Sequence, residues 1–323
     1  MVTIASRMLV AAVAGLVATA GAAFAFPDRP VSVIVPWAAG GGADTVTRFF
    51  AAGLEQELGV PVAVVNRTGG GGITGHTAIA TAASDGYTIG VASPEIAFYK
   101  ALGLGELTPG SVDLFSRLAL IPAGVTVKAD SPWRTLDDML KDLREKPKGA
   151  FTSSGTGVGG AWHIAVGGML KAAGLEADRV RWVPSQGGAP ALQDLSAGGL
   201  SMFTGSPVEA KAMLDAGRVR TIVVMSEDRS ASFPDIPTLK EQKVDWAYSN
   251  WFALVAPKGL SADRRERLFE AARRAMARPE VRASLTSRGI QPVWDEPGTF
   301  AAYLGGFVAR GESVLADLGL AKK

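Results

Sequence analysis

The chain has 323 residues, of which 47% are hydrophobic and 20% are charged, so it can bury a sizeable core and is not mainly disordered. Its net charge of +2 offers no basic excess for binding nucleic acid, and its length suggests two domains. It has no cysteine and two histidines, which excludes disulfides, thiolate metal sites and a cysteine nucleophile and argues against a histidine-rich metal site.

The first 25 residues have the pattern of an export signal. Arg7 precedes an apolar, alanine-rich run, and an Ala-Phe-Ala sequence that ends at Ala25 has the form of a cleavage site. The alternative is an uncleaved membrane anchor, but the run is short for a bilayer span and consists largely of Ala and Gly. We therefore predict a cleaved signal peptide at residues 1–25 and a mature protein outside the cytoplasm that begins at Phe26.

The mature chain alternates short apolar strands with amphipathic helices. Val31 to Val35 predict a buried strand, and after a glycine-rich turn apolar residues follow at helical spacing as far as Leu58. Further strands are predicted at 87–92, 149–153, 180–183 and 221–226, and further helices after Thr135, at 162–173, from Pro207, at 262–277 and at 299–318. This order implies an α/β fold with largely parallel sheets.

Two extended apolar segments, residues 119–128 and 246–257, each lie at the edge of a block of βα units. A lobe inserted between two such crossovers is the connection expected of a hinged, two-lobed protein. We therefore predict two lobes, each with a mainly parallel sheet flanked by helices. Lobe I comprises residues 26–124 and 250–323 and lobe II residues 125–249, with the hinge near Val125 and Phe252.

The first glycine loop, residues 36–44, lies between a predicted strand and a predicted helix. Its three consecutive glycines allow a close approach of the backbone to a ligand, and the amides at the start of the next helix favour an anion. The alternative is a tight turn with Asp44 as the helix cap, but such a turn needs fewer glycines. The candidate ligand-binding residues of this loop are Trp37, Ala38, Ala39, Gly40 and Gly41.

The second glycine loop, residues 152–160, has the same context and adds four hydroxyl groups. It also contains the spacing G-x-G-x-x-G, but the next strand runs into Pro184 instead of an acidic residue, so we expect neither a dinucleotide nor another cofactor. The candidate ligand-binding residues of this loop are Ser153, Ser154, Gly155, Thr156 and Gly157. Loops at the carboxyl ends of strands in two lobes would face each other across a cleft and hold a small oxyanion, most simply a carboxylate.

Several ordered blocks resemble the periplasmic solute receptors of tripartite tricarboxylate transporters, also called Bug receptors. The blocks are Val35–Asp44 with Arg48, Asp85–Thr88, Ser153–Gly157 with His163, Gly187–Leu192 and Phe233–Thr238. The resemblance implies a two-lobed fold in which both glycine loops hold one carboxylate of the solute, partly through water. It also implies two kinds of partner, a small organic carboxylate and the integral membrane subunits of a secondary transporter. We expect the receptor to be a monomer.

The chain departs from the family pattern where the rest of the solute would bind. Gln186 stands where the family often has Lys, Thr204 where it often has Asp, and Ser93 with Glu95 lies in a shortened loop. Because Glu95 would repel a second carboxylate, we expect a monocarboxylate, or an acid with a neutral or hydroxylated tail, in preference to a tricarboxylate. The candidate residues at this end are Ser93, Glu95, Gln186 and Thr204. His163 is a further candidate, although a structural hydrogen bond is an equally open role for it.

The sequence favours a binding protein over an enzyme. It has no G-x-S-x-G motif, and its two histidines lie on separate predicted helices without the spacing of a catalytic triad. Two alternatives to a transport receptor remain at this point: an exported hydrolase or lyase that acts on a small carboxylate, and a ligand carrier for a sensor protein.

Overall fold

The computed structural model describes residues 26–322 apart from residues 231 and 297. The predicted signal peptide at residues 1–25 lies outside the described residues. No helix in the described ranges is both long enough and apolar enough to cross a bilayer.

The described residues form two sheets and flanking helices. In chain order the strands are β1 (Val31–Val35), β2 (Val62–Asn66), β3 (Thr88–Ala92), β4 (Val112–Pro122), β5 (Gly124–Lys128), β6 (Thr152–Ser154), β7 (Arg181–Trp182), β8 (Met202–Phe203), β9 (Val219–Val224), β10 (Ser249–Pro257) and β11 (Gln291–Pro292). The helices are α1 (Gly42–Leu58), α2 (Ile73–Ala80), α3 (Leu136–Glu145), α4 (Ala161–Ala172), α5 (Gly188–Ala197), α6 (Pro207–Asp215), α7 (Ala262–Ala277), α8 (Pro279–Thr286) and α9 (Thr299–Asp317). Short 3-10 helices lie at Gly70–Gly72, Pro94–Ala97 and Pro109–Ser111.

The two sheets confirm the two-lobed α/β fold and differ from the expectation in strand direction. Lobe I carries a six-stranded sheet in the order β11-β4-β10-β3-β1-β2, and lobe II a five-stranded sheet in the order β7-β6-β8-β5-β9. The βα units pair in parallel, β1 with β2 and β3, and β6 with β7 and β8. In lobe I, β10 pairs antiparallel with β3 and β4, and in lobe II, β5 pairs antiparallel with β8 and β9. Both sheets are therefore mixed and not mainly parallel, because the strands that connect the lobes do not belong to βα units.

The chain changes lobe at Ala123, between β4 and β5. The amide of Ala123 donates to the carbonyl of Tyr248 (3.0 Å), and its carbonyl accepts from the amide of Met225 (2.7 Å). Met225 follows β9 and Tyr248 precedes β10, so both passages between the sheets are tied together at one residue. The expected ranges of the lobes as independently moving units, 26–124 with 250–323 and 125–249, remain a prediction.

The last helix, α9, contacts both lobes. On lobe I, Gly311 faces the ring of Phe98, and on lobe II, Val314 and Leu318 face Gly167 of α4. An ion pair between Lys171 and Asp317 lies beside the second contact. One continuous hydrophobic core therefore extends from lobe I into lobe II.

Candidate functional site

The first glycine loop is held by the carboxylate of Asp44, in the first turn of α1. Asp44 accepts hydrogen bonds from the amide of Gly40 (2.9 Å), from Nε of Arg48 (3.0 Å) and from Nδ2 of Asn66 (3.0 Å). Burial raises the pKa of Asp44, but these hydrogen bonds and the charge of Arg48 outweigh it and lower the pKa overall. Gly40 has a φ of 80°, which favours glycine. Asp44 therefore shapes the loop from behind.

A glutamate of lobe II occupies the N-terminus of α1 in lobe I. Oε1 of Glu209 accepts from the amide of Gly42 (3.1 Å), and Oε2 accepts from the amide of Ser206 (3.1 Å). Ser206 in turn caps α6 by accepting from the amide of Val208 (3.3 Å). The Ser-x-x-Glu sequence is thus a capping box, and one oxygen of its glutamate also reaches the other lobe.

The reciprocal contact joins a glutamate of lobe I to the N-terminus of α4 in lobe II. Oε1 of Glu95 accepts from the amide of Ala161 (2.8 Å), and Oε2 accepts from the hydroxyl of Ser93 (2.6 Å). That hydroxyl accepts from Nε1 of Trp37 in the first glycine loop (2.9 Å). Each helix that follows a glycine loop therefore binds a carboxylate from the opposite lobe at its N-terminus, where helix amides and the helix dipole favour negative charge.

Both glutamates are buried, and their pKa values are raised. Burial raises the pKa of Glu209 to about 7, hydrogen bonds from the amides of Ser206 and Gly42 oppose the rise, and the charge of Glu95 adds to it. Burial likewise raises the pKa of Glu95 against the hydrogen bonds from Ser93 and Ala161. The two carboxylates thus share one poorly solvated region.

The second glycine loop is held by packing and by neutral hydrogen bonds. The hydroxyls of Ser153 and Thr204 lie 2.9 Å apart, and both residues are fully buried. Nδ1 of His163 accepts from the amide of Gly159 (3.0 Å), and its ring stacks on Trp182 at 4.5 Å between centroids. Burial lowers the pKa of His163 to about 4. Of the two roles left open for His163, these contacts fit the structural one.

The two loops meet around a small cavity between the lobes, the cleft cavity. The amide of Ala38 donates to the carbonyl of Gln186 (3.4 Å) at its edge. The cleft cavity measures about 20 Å³, and roughly 10–15 Å³ is enough for one water molecule. Its lining residues are Trp37, Gly41, Gly42, Ala43, Thr156, Trp162, Gly187, Gly188, Glu209, Asn250 and Phe252.

The structure brings some of the expected ligand-binding residues to the cleft cavity and places others around it. Trp37, Gly41 and Thr156 line it. Ser93 and Glu95 lie behind Trp37. Ser153 and Ser154, at the start of the second loop, are buried, and so is Thr204. Ala39, Gly40 and Gln186 are exposed, and Gln186 meets the first loop through its carbonyl. Gly155 and Gly157 are spacers, since a Cβ would come within 2.8 Å of Trp162 at the first and within 3.0 Å of Gly71 at the second.

Eight residues that line the cleft cavity were not among the expected ones: Gly42, Ala43, Trp162, Gly187, Gly188, Glu209, Asn250 and Phe252. The capping box is visible in the sequence, but nothing in it indicates the contact of Glu209 with Gly42. Asn250 and Phe252 lie on a crossover strand, whose apolar pattern predicts burial without indicating what the strand faces.

A larger groove of about 480 Å³ lies beside the crossover strands. Leu120, Arg229 and Gln291 are among its lining residues, and it includes no part of either glycine loop. Helix N-termini from both lobes converge on the cleft cavity and not on this groove, so we take the cleft cavity as the candidate site. Within the described residues, no group of three or more His, Cys, Asp or Glu side chains could hold a metal ion.

The model of the tripartite tricarboxylate transporter family receptor matches residues 46–320. The chain belongs to this family. The protein BugT of Bordetella pertussis strain Tohama I is 28% identical over 321 residues, which cover 96% of this chain and 97% of BugT. The assignment confirms the resemblance and the expectation of a binding protein, because the family consists of receptors.

Solved structures of similar proteins agree with this assignment. MatC from Rhodopseudomonas palustris, solved with bound malate, is 26% identical, and the match has a TM-score of 0.81 and covers 90% of this chain and 100% of MatC. The periplasmic binding protein BugD has a TM-score of 0.84 at 24% identity, over 92% of this chain and 100% of BugD. At that identity BugD shows only that the fold is shared.

Proposed function

We propose that this protein is a periplasmic receptor that captures a small organic carboxylate between its lobes and delivers it to the integral membrane subunits of a tripartite tricarboxylate-type transporter. The observation that supports this most is the convergence of two helix N-termini, one from each lobe, on a single cavity. Each N-terminus already binds a glutamate carboxylate, so its amides are placed to bind a carboxylate. MatC, a relative with malate bound, supports the same class of ligand.

Capture requires that the lobes separate. The cleft cavity has room for about one water molecule, so a solute cannot enter the arrangement described above. We propose that the lobes rotate about the passages that meet at Ala123, close to the expected hinge at Val125 and Phe252. The units that move would be residues 26–124 with 250–323 and residues 125–249. The receptor would act as a monomer and reach the periplasm by cleavage of a signal peptide at residues 1–25.

A ligand screen tests the proposal. We expect at least one small carboxylic acid to stabilise the pure mature protein in thermal unfolding, by about 2.7 kcal/mol at a concentration of 100 times its dissociation constant. Gly41→Val should lower the affinity for this ligand, measured by calorimetry, by at least about tenfold, because Gly41 lines the cleft cavity.

The matched control is Gly305→Val on the exposed face of α9, where no atom lies within 4 Å of the position of a Cβ. This variant should bind like the wild type. The proposal is wrong if no carboxylate stabilises the protein, or if Gly41→Val binds as tightly as Gly305→Val.

A further inference from the structure

The cleft cavity contains more hydrogen-bond acceptors than a site for carboxylates alone needs. Glu209 contributes a buried carboxylate to its wall. Asn250, 4% exposed, lines the same wall, and its Oδ1 has no hydrogen-bond partner in the described part of the chain. A buried acceptor without a partner costs free energy, so this oxygen is placed for a donor that the protein itself does not supply.

Aromatic rings form much of the remaining wall, and they come from both lobes. Trp37 and Phe252 belong to lobe I and Trp162 to lobe II. Ring faces attract a nearby cation, and an ammonium group is a donor without acceptor capacity. A carboxylate, an amide oxygen and three aromatic rings together provide the groups that bind a protonated nitrogen.

The charge balance in the cleft points the same way. Glu95 and Glu209 bring two carboxylates into one buried region, and of the described residues that line the cleft cavity none is Lys or Arg. Arg117, a largely buried cation, pairs with Asp295, away from the cleft cavity. A solute that carried only carboxylates would add another negative charge to this region, and buried charges without partners are strongly disfavoured.

The side chain of Glu209 is held firmly in this position. A Cβ on Gly188 would come within 2.3 Å of its Oε1, and a Cβ on Gly205 within 2.7 Å of its Oε2. The amides of Gly42 and Ser206 hold one oxygen each. In the closed arrangement Glu209 is therefore a fixed carboxyl group, and a cation beside it would favour its ionised form.

We infer that the solute of this receptor is a zwitterion, a small carboxylic acid with a protonated nitrogen that binds Glu209 and Asn250 among the aromatic rings of the cleft cavity. This inference rests on the proposed function, which supplies the carboxylate and the closure of the lobes. It makes Glu209 and Asn250 the residues that determine specificity, and it replaces the expectation of a neutral or hydroxylated tail.

Matched pairs of ligands test the inference. The pairs differ only by an amino or a hydroxyl group: alanine and lactate, 3-aminopropionate and 3-hydroxypropionate, 4-aminobutyrate and 4-hydroxybutyrate. Malate and citrate complete the panel. In calorimetry at fixed ionic strength, we expect at least one amino member to bind at least about tenfold more tightly than its hydroxy partner. It should exceed malate and citrate by the same margin, because such a factor is typical of a desolvated charge pair.

Proton exchange on binding gives a second readout at pH 7, where Glu209 is partly protonated. An amino member should release protons because it favours the ionised glutamate, whereas a hydroxy member should take protons up. Burial also raises the pKa of Glu95, so the proton exchange that belongs to Glu209 is the part that is lost in Glu209→Gln. The remaining titratable groups around the cleft do not titrate near pH 7. The pKa values of His76 and His163 are lowered to about 3 and 4, that of Asp44 is also lowered, and those of Tyr99 and Tyr248 are raised well above 10.0.

Glu209→Gln is the decisive variant, because glutamine keeps the capping box of α6 and removes the charge. It should lower the affinity of the amino member by at least about tenfold and leave the hydroxy member unchanged or tighter. Glu241→Gln is the matched control. Glu241 forms the same reciprocal pair with Thr238 at an exposed position, and this variant should keep the preference for the amino member.

The outcomes separate the two proposals. If malate, citrate or a hydroxy acid binds more tightly than every amino member, the receptor function stands and the zwitterion inference is wrong. An equal loss of affinity for both members of a pair in Glu209→Gln would also overturn the inference. If no member of the panel binds, the carboxylate-receptor proposal fails and takes the inference with it.

Discussion

In the first glycine loop, charge holds the backbone in place: Asp44 receives hydrogen bonds from Gly40, Arg48 and Asn66. In the second, close packing does the same work, with Gly155 against Trp162 and the hydroxyl of Ser153 beside that of Thr204. Both loops follow a strand, precede a helix and present that helix's N-terminus to a glutamate from the other lobe. The difference shows that the same anion-binding arrangement can rest on two unrelated kinds of support.

The two supports should respond to different perturbations. An electrostatic support depends on ionisation and salt, whereas a packed one depends on volume and on keeping its buried groups neutral. Three experiments test whether the two loops respond in these different ways.

The largest effect should come from acid acting on the second loop. The folded protein keeps His163 neutral down to about pH 4, whereas an unfolded histidine titrates near 6.5, so the unfolded chain binds more protons between these values. Stability that is present above pH 6.5 should therefore be lost as the pH falls toward 4, by about 3 kcal/mol from this histidine.

Urea unfolding at a series of pH values measures this loss. His163→Asn can keep an acceptor for the amide of Gly159, and it should flatten the dependence by about 1.4 kcal/mol per pH unit within this window. His76, whose pKa is lowered to about 3, contributes with the same sign in both proteins. If the unfolding free energies of the wild type and the variant changed in parallel with pH, His163 would not be the cause of the loss.

Volume should distinguish the loops next. In Gly155→Ala the new Cβ would lie 2.8 Å from Cβ of the buried Trp162, and we expect a loss of about 2 kcal/mol from overpacking. In Gly41→Ala the nearest atom, the carbonyl oxygen of Ala38, is 3.4 Å away, and φ is −78°, so the change should stay within about 0.5 kcal/mol. Chemical denaturation of both variants decides the matter, and equal losses would show that packing does not set the loops apart.

The smallest effect should come from charge in the first loop. Asp44→Asn removes an ionised acceptor but leaves Arg48 half-exposed to water, so we expect a loss of about 1 kcal/mol at neutral pH. Because the pKa of Asp44 is lowered on folding, the difference should vanish as acid protonates the wild-type carboxylate, and added salt should reduce it. Ser153→Ala is the matching variant in the second loop. The stability that it loses should depend neither on pH nor on salt concentration.

Local patterns predict much of this fold. The apolar spacing at 262–277, the N-cap residue Thr135 and the capping box at Ser206 predict the helices that the structure has there, because such signals act within a few residues. Strand direction is not a local property. The apolar run at 246–257 predicts an extended segment, but the position of β10 between β3 and β4, antiparallel to both, follows from its role as a crossover.

The residues of the candidate site also differ in whether local patterns predict them. The glycine loops are visible as composition, and Asp44 as a first-turn acid. The side chain of Asn66, at the end of β2, donates to the carbonyl of Trp37 and to Asp44, and no local pattern indicates these contacts. Glu209 and Gly42 are 167 positions apart, so only the closed arrangement of the lobes reveals their contact.

Trp37 and Trp162 line the same small cavity from opposite lobes, among seven tryptophans in the chain. Indole fluorescence moves to longer wavelengths when water replaces protein around the ring. Separation of the lobes would expose both indole rings to water, and closure would bury both again. The emission spectrum should therefore follow the opening and closing of the cleft without an added label. Phenylalanine at position 37 or 162 would show which indole carries the signal. The fluorescence of these two residues would then report on the separation of the lobes.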